Sequence, residues 1–263
     1  MHVHLSQLHK MARQGEKIAA LTCYDASFAA LLEEAGVDIL LVGDSLGMVL
    51  QGEANTLGVT LEQMQYHTRC VARTSGRAYI IADMPLGSYQ ERPAQAMRNA
   101  ARLLAAGAHM VKLEGGQVMA ATVSYLVKRG VPVCGHIGLT PQSIHQLGGY
   151  RVQGRTEPQA AQLLEDAVEL EQAGAGLLVL EAIPVQLATR ITQQVTIPTI
   201  GIGAGPNCSG QVLVLYDVLG IYAGKRPRFA KDFMRGAGSV QAAIKTYVTA
   251  VKNSRFPGAE HCF

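Results

Sequence analysis

A chain of 263 residues with 48% hydrophobic content can bury one large core, either as two small domains or as one α/β barrel. Its formal net charge of +3, with Lys and Arg scattered, offers no basic block for nucleic acid or an anionic membrane, and 5% aromatic content without Trp offers no base-stacking platform. The longest apolar runs, such as Ile39 to Val42 and Leu177 to Leu180, are far too short to cross a bilayer, so no membrane partner is expected.

Met1 to Leu5 lack a basic stretch followed by an apolar one, so no signal peptide is read there. Cys23, Cys70, Cys134, Cys208 and Cys262 are widely spaced, odd in number and free of any C-x-x-C pair. That usage fits reduced thiols in a cytosolic protein, hence a cytoplasmic location.

Residues 5–14 carry an amphipathic helical pattern suited to the bottom of a barrel or a subunit contact. Ile18 to Cys23 reads as a strand, and Asp25 as the cap of a helix from Ala26 to Glu34 that Gly36 stops. Ile39 to Val42 is a second strand, followed by a long glycine-containing loop from Ser45 to Thr60 whose length implies function. Thr60 and Gln63 open a helix to about Arg73, Ala78 to Ala82 is the third strand, and Pro93 opens an alanine-rich helix ending at Gly107. His109 to Leu113, Val131 to Gly135, Gly176 to Leu180 and Ile197 to Ile202 are further strands, with helices over 117–128, 157–173 and 185–194 between them. A second long loop runs from Ile137 to Thr156. Val212 to Tyr216 fits an eighth strand or a short helix, and 230–251 reads as mainly helical. Strand and helix alternate with no linker-like break, which favours a parallel sheet with helical crossovers. About eight such units in one unbroken chain favour a TIM (β/α)8 barrel, a single domain over 1–263.

Five apolar runs stop at chemically capable side chains: Asp44, Asp83, Glu114, His136 and Glu181. Parallel strands bring their carboxyl ends to one face, so these side chains converge. Asp44, Asp83 and Glu114 would repel one another unless a cation neutralised them, and an all-oxygen set without His or Cys favours Mg²⁺ or Mn²⁺ over zinc. Any one of them alone reads as a helix cap; three on successive strands favour a metal site. Lys112 lies two residues before Glu114 and points to the same side, where it can hold an anionic substrate group. A structural ion pair competes with that reading, and a Schiff base is disfavoured because carboxylates raise a lysine's pKa. Glu181 can act as a general base across the mouth, or cap the helix after Pro184. His136 can donate to a substrate oxygen, although a lone strand-end histidine reads first as a satisfied core residue. Gly201-Ile202-Gly203-Ala204-Gly205 has the glycines of a phosphate cradle, and equally of a tight turn against a neighbouring loop. A metal-dependent lyase or aldolase of a small 2-oxo acid, and a non-catalytic phosphate-binding barrel, are alternatives at this point.

The chain resembles the ketopantoate hydroxymethyltransferases. The resemblance rests on Thr22-Cys23-Tyr24-Asp25, Val42-Gly43-Asp44-Ser45-Leu46-Gly47-Met48, Ala82-Asp83-Met84-Pro85 and Val111-Lys112-Leu113-Glu114-Gly115-Gly116. It continues through Gly135-His136-Ile137-Gly138-Leu139-Thr140-Pro141-Gln142-Ser143, Gly148-Gly149-Tyr150, Leu180-Glu181 and Gly201 to Gly205, and so covers nearly the whole chain. It implies a TIM barrel assembled as a homodecamer of two stacked five-membered rings. It implies Mg²⁺ on Asp44, Asp83 and Glu114. Contacts to the α-keto acid 3-methyl-2-oxobutanoate fall on Asp44, Ser45, Asp83, Lys112 and His136, and the base on Glu181. The second substrate is 5,10-methylenetetrahydrofolate and the product 2-dehydropantoate, in pantothenate biosynthesis. The chain departs from the family pattern at Ser209, where aspartate is common, at Tyr216, where histidine is common, and at Leu86, where phenylalanine is frequent. None is an implied metal or base position.

Overall fold

Eight short strands, apolar on both faces, close on themselves in the computed structural model, which describes residues 2–221 and 226–263. They are β1 (Ile18–Thr22), β2 (Ile39–Val42), β3 (Tyr79–Asp83), β4 (Met110–Glu114), β5 (Val133–Gly138), β6 (Leu177–Glu181), β7 (Thr199–Ile202) and β8 (Gly210–Leu213). Every neighbouring pair is parallel, in chain order, and β8 pairs back onto β1 through Ile18↔Gly210 to Leu21↔Leu213. Helices cover the outer face while side chains fill the inner one, which is why these strands read as continuous apolar runs rather than alternating ones. Ala20, Leu41, Ile81, Cys134, Val179, Ile200 and Val212 close the barrel interior beneath Lys112 around a void of only about 10 Å³. All five cysteines are free thiols. No helix among the described residues is long and apolar enough to cross a membrane.

The helix Leu5–Arg13 buries Leu8 and Met11 at the amino-terminal end of the barrel, where His9 Nε2 lies 2.8 Å from the Gly176 carbonyl. The expected caps form: Asp25 accepts from Phe28 N at 2.9 Å, and Thr60 with Gln63 makes a reciprocal capping box. Gly36 and Gly107 end their helices with φ of +93° and +112°, values an L side chain adopts only under strain.

Three sequence expectations need correction. The strands β3, β4 and β6 run one residue further than expected, because the ladder continues past each carboxylate: Met84 N donates to Lys112 O, Gly115 N to His136 O and Ala182 N to Ile202 O. β5 begins at Val133 and runs to Gly138. Val131 N is used to end the preceding helix on Leu126 O, Pro132 has no N–H to give, and Gly138 pairs with Glu181. His136 therefore lies inside a strand, not at its end. Finally, the helix expected over 230–251 occupies only Val240–Lys252. Before it, Phe233 N donates to Val218 O, Asp232 Oδ1 accepts from Met234 N and Arg235 N, and Gly236 has φ +86°. These bonds hold that stretch in turns. The ambiguity at 212–216 resolves as both elements: β8 ends at Leu213 and a short helix, Leu215–Val218, follows. Each long loop opens with hidden helical structure, Leu46–Val49 in one and Pro141–Ser143 with Ile144–Leu147 in the other.

Candidate active site

The carboxyl ends of the strands frame a cavity of about 590 Å³, and Asp44, Ser45, Asp83, Lys112, Glu114, His136 and Glu181 all line it. The last residues of β3, β4 and β6 are Asp83, Glu114 and Glu181, fixed in strand geometry rather than on mobile loops. Lys112 and Glu114 share one face of β4, as period-two alternation requires. Lys112 Nζ lies 3.1 Å from Asp83 Oδ1 and 3.2 Å from His136 Nδ1. His136 Nδ1 is 3.4 Å from Glu114 Oε1, and Nε2 is 3.2 Å from Glu181 Oε2. Asp44 follows β2, and its backbone N–H donates to Asp83 Oδ2 at 3.1 Å. Ser45 Oγ pairs with Tyr24 Oη at 2.9 Å.

The chain around Glu181 is shaped for this convergence. Gly138 (φ +93°) lies so close to Glu181 that a Cβ there would meet its carbonyl oxygen at 2.2 Å. Ala182, directly after Glu181, has φ 47°, a strained value for a non-glycine at a functional cluster. Gly43 leaves the space between Ser45 Oγ and Asp83 Oδ2 open, since a Cβ would stand 2.9 Å from the former.

Four carboxylates here face one lysine and one histidine, nearly all buried. Burial, then the charges of Asp83 and Glu114, push Asp44 up to about 8. Burial also pushes Asp83 up, with Lys112 opposing it. Burial disfavours the charged forms of Lys112 and His136, but the surrounding carboxylates outweigh it. Lys112 ends above its usual range, and His136 is carried up to about 9 by Glu114 and Glu181 despite the Lys112 ammonium. Burial would raise Glu114, yet His136 and Lys112 hold it below the usual carboxylate range.

Among the described residues, no three His, Cys, Asp or Glu side chains are drawn in at metal-holding spacing. Lys112 and the Gln142 amide lie against the carboxylates instead. The donor set still fits a hard divalent cation. Asp83 Oδ1 and Glu114 Oε1 are buried with only the ion pairs to Lys112 and His136 to satisfy them, and Asp44 is driven toward its neutral form by burial and by its like-charged neighbours.

Sequence reasoning missed Gln142 as an individual residue. Its Nε2 donates to Asp44 Oδ2 and to Met84 O, both at 2.9 Å, its Oε1 accepts from Tyr89 Oη at 2.7 Å, and its N–H donates to Glu114 Oε2 at 2.9 Å. Tyr89 in turn accepts from Glu114 N at 3.0 Å. Only the position of Gln142 in a long shared motif pointed to it. The glycines 201–205 serve close packing: a Cβ at Gly203 would stand 3.0 Å from Phe229 and Phe263, and one at Gly205 2.8 Å from Val185. Ser209 closes a small strand-end staple, exchanging hydrogen bonds of 3.2 Å with Thr199. Tyr216 packs against Tyr24, and Leu86 is exposed.

The chain is 67% identical over 262 residues to the 3-methyl-2-oxobutanoate hydroxymethyltransferase of Azoarcus sp. (strain BH72), covering 99% of this chain and 97% of that one. It is 62% identical over 263 residues, the whole of both chains, to the protein of the same name from Nitrosospira multiformis. Among solved structures, phosphoenolpyruvate phosphomutase from Streptomyces platensis subsp. rosaceus superposes with TM-score 0.61 over 95% of this chain and 88% of its own. At 15% identity, that likeness concerns the barrel fold alone. The ketopantoate hydroxymethyltransferase family model matches residues 2–259, and the chain belongs to that family.

Proposed function

We propose that the chain transfers a hydroxymethyl group from 5,10-methylenetetrahydrofolate to 3-methyl-2-oxobutanoate, giving 2-dehydropantoate and tetrahydrofolate in pantothenate biosynthesis. The observation that carries the reading is the convergence of Asp44, Asp83, Glu114, Lys112, His136 and Glu181 in one cavity, within a chain nearly identical in extent to named relatives.

Asp44, Asp83 and Glu114 would hold Mg²⁺, whose bound form supplies a Lewis acid to the substrate's keto and carboxylate oxygens. Lys112 and Ser45 hold the carboxylate end of the acid, and Asp44 and Asp83 border the same space. His136 donates toward the substrate oxygens and is steered by Glu114 and Glu181. The C3–H bond breaks and its proton passes to the Glu181 carboxylate, the least buried of the four and the one on the opposite side of His136 from Lys112. Water adds to the carrier's methylene carbon, both of that carbon's bonds to nitrogen break, and the two water protons end on the carrier nitrogens as tetrahydrofolate. C3 adds to the freed formaldehyde carbon, whose oxygen takes the proton held by Glu181 and becomes the hydroxyl. The apolar wall of Leu139, Val152, Val179 and Ile202 keeps bulk water from the carbanion-like centre.

The same reading takes residues 1–263 as one domain, the protein as cytoplasmic, and the assembly as a homodecamer. Exposed Tyr66, Leu86 and Val118 offer apolar surface for such contacts. The test is product formation with and without methylenetetrahydrofolate, in the native chain and in Glu181→Gln. Turnover that depends strictly on the folate, and that falls by about 10²- to 10⁴-fold in Glu181→Gln with keto-acid affinity retained, is the expected result. Full turnover in that variant removes Glu181 as the base, and product formed without folate removes the transferase reading.

A further inference from the structure

Asp217 is the one buried carboxylate lining the cavity that the reaction above does not use. It lies on the short helix after β8, and only 3% of its surface is exposed. Its Oδ1 has no hydrogen-bond partner, and no cation stands within 4 Å of its carboxylate, among the described residues. Arg226 acts on Asp217 only through its field. A buried carboxylate without a donor is costly, so it persists where a ligand's donors complete it.

Its position excludes the keto acid as that ligand. The keto-acid cluster is centred on β4 and its neighbours, and β8 is the strand opposite β4 in the closed ring. A five-carbon keto acid fills a fraction of a cavity of about 590 Å³, and carries only acceptor oxygens, which a carboxylate repels. Val212 and Val214, close to Asp217 in the chain, line the cavity together with Pro227, Phe229 and Phe263, which gives it apolar surface for a flat ring. The complementary group is a planar heterocycle with two adjacent N–H donors, which a carboxylate accepts in parallel.

We propose that Asp217 recognises the 2-amino-4-oxopyrimidine edge of the one-carbon carrier, accepting its ring N–H and amino N–H across the barrel mouth from the keto-acid cluster. The inference rests on the proposed folate-dependent reaction and names the residue that selects its second substrate. Burial pushes the Asp217 carboxyl up to about 6, with Arg226 opposing, so the acceptor form prevails at neutral pH.

The test measures binding of tetrahydrofolate and of 3-methyl-2-oxobutanoate, by calorimetry, to the full native chain, Asp217→Asn and Asp217→Ala. The isosteric Asn variant covers the case in which the Ala variant does not fold. Losing a charged acceptor should weaken tetrahydrofolate by about 10- to 100-fold and raise the KM for methylenetetrahydrofolate alike, with keto-acid affinity within about two-fold. A tetrahydrofolate analogue with methyl in place of the 2-amino group should bind the native chain weakly and the Asp217 variants no worse. Unchanged tetrahydrofolate affinity in the variants, with the native chain turning over normally, overturns the inference alone. Equal loss of both ligands overturns it too, because the effect is then structural. A native chain that neither binds tetrahydrofolate nor transfers the one-carbon unit overturns the proposed reaction itself.

Discussion

Gln142 ties three strand ends together. One side-chain amide and one backbone N–H touch Asp44, Met84, Tyr89 and Glu114, so the spacing of two carboxylates depends on a residue that itself carries no charge. Partners of this kind set the orientation and basicity of ligating groups. Gln142→Ala keeps the backbone bond to Glu114 but removes the amide from Asp44. It should reduce Mg²⁺ affinity by about 10- to 100-fold, measured by calorimetry, while the far-ultraviolet circular dichroism stays native. Affinity unchanged within error would make the amide a bystander. At this scale the sequence was uneven. Asp44, Asp83, Glu114 and Glu181 were readable because each ends an apolar run, and Lys112 because it shares a face with Glu114. His136 was readable as a candidate by the same rule, but its bracketing by Glu114 and Glu181 was not, since nothing local announces it. Asp217 was equally silent, because its lack of a partner is a fact of packing and leaves no mark on spacing.

At the scale of elements, the alternation of strand and helix was legible because barrel strands are buried on both faces and some of the helices open on a capping oxygen, as at Asp25, Thr60 and Ser239. Boundaries were less so. They are decided by where the ladder stops, as in β3, β4 and β6, and by non-local bonds such as Phe233 N to Val218 O. The entry to β3 is a case in point. Glu33, at the end of one helix, accepts from Gly76 N at 3.0 Å, Arg77 N at 2.9 Å and Ala78 N at 2.7 Å, and from the Ser75 hydroxyl. Burial raises its pKa but these donors outweigh it, so its carboxyl lies below the usual range. The stabilisation is therefore present above the ordinary value of 4.5 and is lost as pH falls through the lowered one. Glu33→Ala should destabilise the fold by about 1–3 kcal/mol in urea titrations at neutral pH, and by less near about pH 3. A loss independent of pH would assign the effect to packing instead.

For the whole molecule, the closed barrel concentrates like charge at one end, and that concentration is a standing cost to the metal-free chain. Asp44 illustrates the sign. Its pKa rises from 3.8 to about 8 on folding, so its contribution is fully favourable below 3.8 and is lost as pH rises through about 8. The melting temperature of the metal-free native chain, relative to Asp44→Asn, should therefore fall between about pH 5 and about pH 8.5, and saturating Mg²⁺ should raise the native melting temperature most at the alkaline end. A pH-independent difference between the two proteins would contradict the account of Asp44 as a carboxyl held toward its neutral form by burial and by its like-charged neighbours.

The measurement that tests the central claim most directly is C3 proton exchange of 3-methyl-2-oxobutanoate in D₂O, followed by NMR without folate, with and without Mg²⁺, for the native chain and Glu181→Gln. The account predicts exchange that requires both the metal and Glu181. Exchange that persists undiminished in Glu181→Gln, or that proceeds equally without a divalent cation, would contradict it.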